Sequence, residues 1–118
     1  MVTPPIVVID GHDFSFYDSA EAVGRHLEAW YPDEEYLAFD SQGRKLMLVV
    51  EERTIPRRWL PDRGFEWVGV QPSEAEPTHA AELAALLREH LELAGLTPQD
   101  DAPLRELVDR AIERSGYT

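Results

Sequence analysis

Cysteine is absent from the 118 residues, which removes disulfide staples, thiolate metal ligands, thiol nucleophiles and redox switching, and leaves packing as the source of stability. No stretch approaches the roughly 18 consecutive apolar residues of a membrane-spanning helix. The opening Met1-Val2-Thr3-Pro4-Pro5 lacks the basic and then apolar regions of a secretory signal. A cytoplasmic product without membrane association is therefore expected. The seven glycines stand singly, so no phosphate-cradling loop is present. None of Ser15, Ser19, Ser41, Ser73 and Ser115 lies in a Gly-x-Ser-x-Gly elbow. No catalytic residue and no cofactor are assigned. Lysine occurs once, as Lys45, beside ten arginines. Coding bias accounts for that preference as well as selection for bidentate anion contacts does, so the count marks no site.

What the chain has in plenty is acid, unevenly placed. The net charge is −12, with nine acids and one base in residues 1–40, four acids and six bases in 41–70, and ten acids and four bases in 71–118. An acidic surface repels phosphates, which argues against duplex nucleic acid as a ligand and favours a basic macromolecular partner. The length suits one domain with one modest core.

Apolar periodicity places the elements. Ile6-Val7-Val8-Ile9, bounded by Pro4-Pro5 and Asp10-Gly11, reads as a buried strand. Asp18 or Ser19 caps a helix over 19–30 whose apolar face holds Val23, Leu27 and Trp30, with Asp18 and Glu21 in capping-box spacing. Residues 36–39 and 46–50 flank Asp40-Ser41-Gln42-Gly43, the pattern of a β-hairpin with a type I turn and a bulge. Pro56 and Pro61 make 53–64 a basic loop, and 65–70 reads as a further strand. Thr78 and Asp101 are the expected N-caps of helices over 79–94 and 102–115, and Gly95 stops the first. The order predicts a single α+β domain: a mostly antiparallel sheet of about four strands with three helices on one face. Its N-terminal strand, helix and hairpin span 6–52.

Two stretches are candidate contact sites. Trp30, Tyr31, Asp33, Glu34, Glu35 and Tyr36 interleave aromatics with consecutive acids, the makings of a patch for a basic protein, although an acidic run is also what an exposed turn looks like. Arg57, Arg58, Trp59 and Arg63 set cations around an aromatic, suited to an anion, a stacked base or a partner surface, and equally suited to neutralising the chain's own acids. Asp10, His12, Asp13 and His26 include metal-ligand types, but their spacing fits neither an EF-hand loop nor a His-Glu-x-x-His helix. No metal site is assigned. His79 and His90 lie about 16 Å apart along one helix, too far for one ion.

From Ile6 to Val50 the chain resembles small bacterial α+β proteins, on the strength of Asp13-Phe14, the Asp18-Ser19 cap and Tyr36 through Phe39-Asp40-Ser41-Gln42-Gly43-Arg44. In size, charge and lack of cysteine it is similar to immunity proteins of bacterial polymorphic-toxin systems. That resemblance implies a non-enzymatic protein that masks a basic toxin surface through the 30–36 patch. The alternatives are a module that oligomerises through its C-terminal helices, and a small enzyme or metal-binding domain near Asp10, His12 and His26.

Overall fold

The computed structural model describes residues 2–27, 36–56, 58–61 and 63–118, with backbone alone at 55 and 63. In chain order the elements are β1 (Ile6–Asp10), β2 (Asp13–Tyr17), α1 (Ala20–His26), β3 (Leu37–Phe39), β4 (Leu46–Ile55), β5 (Arg63–Pro72), α2 (Ala80–Leu93) and α3 (Leu104–Ser115). They form two antiparallel sheets, one ordered β2-β1-β3 and the other β4-β5. The α+β build read from the element order is the one observed.

β1 explains why Ile6–Ile9 is apolar without alternation: both of its faces are covered. On one side Val7 and Ile9, with Phe16 of β2 and Phe39 of β3, pack against Leu83, Leu87 and Leu91 of α2 and Leu107, Val108 and Ala111 of α3. On the other, Ile6, Val8, Tyr17 and Ala38 meet Val23 of α1, Leu46 and Leu48 of β4, and Val68 of β5. The three-stranded sheet is thus the middle layer. The helices are divided between its faces, α1 lying with the β4–β5 ribbon opposite α2 and α3, instead of all three sharing one side.

Several local expectations are corrected. β2 was not anticipated; Gly11 (φ 62°) and His12 close a two-residue hairpin that pairs Asp10 with Asp13, the turn geometry with glycine first that suits strand twist. Asp40–Gly43 forms the predicted turn, with Gly43 at φ 86°, Gly43 N–H donating to Asp40 O at 3.1 Å and Asp40 N–H to Arg44 O at 2.9 Å. The hairpin ends there, because among the described residues only Phe39 and Lys45 bridge across it. β3 goes on to pair with β1, and β4 with β5. Ser19 caps α1 as expected, its Oγ accepting from Ala22 N–H at 3.1 Å, but the helix stops at His26, where Leu27 turns extended. Neither Thr78 nor Asp101 caps a helix: His79 and Pro103 occupy those positions without a side-chain cap bond. Gly95 terminates α2 as predicted, at φ 83°, with Leu96 N–H donating to Leu91 O at 2.9 Å.

Candidate functional site

β4 and β5 pair through ten rungs, from Leu46 opposite Pro72 to Ile55 opposite Arg63. The proline-rich segment therefore does not end the strand at residue 52. In a ribbon of two strands each backbone has one open edge, and the prolines at 56 and 61 fall just past the last rung, where no ladder bond is lost. The basic loop shrinks to the tip of an arm. Leu48 and Val68 anchor the base in the core at 3% and 0% exposure, whereas Val50 is already 46% exposed. The molecule measures 59 × 28 × 23 Å with a radius of gyration of 16.0 Å, against about 13.5 Å for a compact chain of this length.

The middle of the arm is braced from its own body. Phe65 and Trp67 stack edge to face at 6.2 Å, and the Arg53 guanidinium lies 4.3 Å from the centre of the Trp67 ring. Arg53 also faces Glu21 of α1 at 3.4 Å and Glu51 of its own strand at 3.6 Å. Arg53, which opens the basic segment, is thus neutralised by acids of its own chain. Trp59 is 85% exposed and Leu60 60% exposed, and Arg58 lies 5.3 Å from the centre of the Trp59 ring. No carboxylate among the described residues reaches Arg58 within ion-pair distance. Arg57 lies outside the described residues, and the Arg63 backbone opens β5.

Of the acidic–aromatic patch, Trp30, Tyr31, Asp33, Glu34 and Glu35 lie outside the described residues. Tyr36 is half-buried and fastens β3 to β4, its hydroxyl accepting from Leu48 N–H at 2.9 Å. Asp10 and Asp13 flank the β1–β2 turn that contains His12, while the His26 ring sits 5.8 Å from that of Tyr17. Among the described residues no three histidine or carboxylate groups gather to hold an ion.

Two polar clusters escaped the sequence reading. Fully buried Asp40 accepts from the backbone N–H groups of Thr3, Gln42 and Arg44 and pairs with Arg44 Nη1 at 2.6 Å. Arg44 Nε in turn donates to Ala75 O at 3.0 Å. Glu74 accepts from Lys45 N–H at 2.8 Å, contacts His79 Nδ1 at 2.7 Å and takes the Thr78 hydroxyl. Burial alone would raise the Glu74 pKa, but the bonds from Lys45, Thr78 and His79 and the His79 charge outweigh it and hold it at about 2. The first cluster ties the turn before β4 to the N-terminal segment and to the segment after β5, and the second fixes the root of the arm to the N-cap of α2. Asp40 with Arg44 and Glu74 with His79 are near neighbours in sequence, but what seats them is the distant backbone of Thr3, Ala75 and Lys45, which spacing does not reveal.

No protein-family model, curated protein or solved structure matches the chain.

Proposed function

We propose that the protein works by binding another macromolecule, without chemistry of its own, and that the arm tip is a contact element. One observation carries this: an exposed tryptophan and leucine, flanked by arginine, held on a ribbon that projects from the body. Leaving an indole and an isobutyl group in water costs roughly 1.5–3 kcal/mol each relative to burial, and tryptophan and arginine are the residues on which binding energy concentrates.

The acidic residues 30–36 are the proposed contact for a basic partner, a toxin neutralised by an immunity-type protein being the most concrete case. There the carboxylates would speed encounter and the aromatics slow release. The test is affinity capture from the native host followed by titration of the purified partner. Trp59→Ala, or Ser at Asp33, Glu34 and Glu35 together, is expected to weaken binding more than about tenfold. A partner indifferent to both variants defeats the reading.

A second reading, association through the C-terminal helices, draws on one feature. Their apolar stripes are spent on the core, yet Leu93 and Leu96 at the end of α2 stay 77% and 39% exposed.

A further inference from the structure

Resting on the reading of the arm tip as a contact element, we propose that its occupant is a second copy of this chain, docked head to tail. The tip of one copy would sit on the end of α2 in the next.

Charge supplies the first argument. Residues 53–64 carry Arg53, Arg57, Arg58 and Arg63 against Asp62, a net +3, which leaves −15 on the rest of a chain whose total is −12. Arg53 is answered by Glu21 and Glu51 of its own copy. Beyond it the arm runs on for about 16 Å, roughly two screening lengths at physiological salt, so the body does not neutralise the tip through solvent. A tip carried on ten paired rungs also cannot fold back onto its own α2 without breaking the ladder. The acidic surface it complements belongs to another molecule.

Shape and polarity supply the second. Leu93 is 77% exposed and shares its surroundings with Glu89. It borders a cleft of about 170 Å³ between α2 and the β1–β2 turn, lined by Ile9, His12, Phe14 and Leu86. The cleft has a flat aromatic wall, because Phe14 and His90 stack with centres 4.2 Å apart. An apolar floor edged by the Glu89 carboxylate is the counterpart of Trp59 and Leu60 with Arg58 beside them. The net negative charge of each body opposes association at long range, but at physiological salt it is screened beyond about 8 Å while contacts at the interface are not. A tip-to-side contact is heterologous, so it closes into a ring or continues as a filament.

The full-length protein should show a mass that rises with concentration in light scattering or sedimentation at 0.15 M salt. Trp59→Ala removes an exposed side chain, so the fold should survive, and self-affinity should fall more than about tenfold. Leu93→Arg, exposed as well, should do the same from the other side. Mixing the two variants is the decisive step, since each keeps one intact half. Each alone should be monomeric, and the mixture should form 1:1 dimers and nothing larger.

A wild-type chain that stays monomeric up to about millimolar concentration, where affinities are worth only about 4 kcal/mol, overturns the proposal. So does association untouched by Trp59→Ala, or a mixture that fails to dimerise. If the monomer instead binds a basic protein, anionic vesicles or an oligonucleotide through Trp59, self-docking is wrong and the arm reading stands. If Trp59→Ala is silent in all of these, both fall.

Discussion

The indole of Trp67 on β5 packs against Gly24 in α1, so closely that a Cβ at position 24 would overlap Cε2, Cζ2 and Nε1 of the ring. Glycine costs an α-helix about 1 kcal/mol relative to alanine. Here the cost is offset by seating α1 on the ribbon, with Val23 beside it in the core and Glu21 reaching Arg53.

Gly24→Ala is accordingly expected to destabilise the protein despite alanine's better helix propensity. Overpacking typically costs about 1–3 kcal/mol, and the arm braced by Trp67 should loosen with it. Urea unfolding measures the stability, and tryptophan fluorescence in a background with Trp30 and Trp59 replaced by Phe reports the seating of Trp67. A variant more stable than wild type would mean that α1 does not rest on Trp67.

The root of the arm depends on Asp40. Asp40→Ala removes the carboxylate that faces the buried Arg44 guanidinium and leaves three backbone N–H groups without their acceptor. Removing one partner of a buried ion pair costs about 3–5 kcal/mol. Asp40→Asn keeps an acceptor and should lose about half of that, a ranking that chemical denaturation of both variants resolves.

How much of this was legible depended on whether the cause was local. The Ile6–Ile9 strand, the Ser19 cap, the turn ending at Gly43 and the Gly95 stop follow from neighbours within a few residues, and each stands as read. β2 was missed because Phe14-Ser15-Phe16 was overlooked behind the helix cap at Ser19, although aromatic residues at a spacing of two after Asp-Gly are a strand signal. The partners of β3 and β4 had no local signal: the turn between them suits a hairpin, and it is core packing of Val7, Phe39 and Leu48 that sends the strands to different sheets. Trp59 was readable as a candidate contact. That it stands at the end of a ten-rung arm was not, since pairing across 56–62 depends on register and on α1 bracing Trp67.

Acid sensitivity should appear at the Glu74–His79 contact. A carboxyl held at about 2 in the fold and near 4.5 when unfolded binds protons more readily in the unfolded chain. The stability it contributes is fully present above about pH 4.5 and is lost as pH falls toward 2. Glu74→Gln should remove that part of the pH dependence. The stability gap between wild type and variant should therefore be smaller in unfolding curves at about pH 3 than at pH 6. A constant gap between them would place the acid sensitivity elsewhere.

His90 should set a second pH dependence, nearer neutrality. Its ring stacks on Phe14 at 4.2 Å and its Nε2 is buried without a hydrogen-bond partner. Burial, and then the Arg114 charge from α3, lowers its pKa below the usual 6.5. Glu89 and His12 line the same cleft but do not reverse the direction. Because the unfolded chain takes up the proton first, the contribution of His90 is intact above about pH 6.5 and declines as pH falls toward the lower folded value. His90→Phe keeps an aromatic ring against Phe14 and removes both the titration and the unpaired nitrogen. It is expected to raise stability at pH 7.5 by about 1 kcal/mol and by more at about pH 5.5. Melting temperatures of the two proteins at both pH values decide it: a gap that narrows on acidification would mean that protonated His90 finds a partner in the fold.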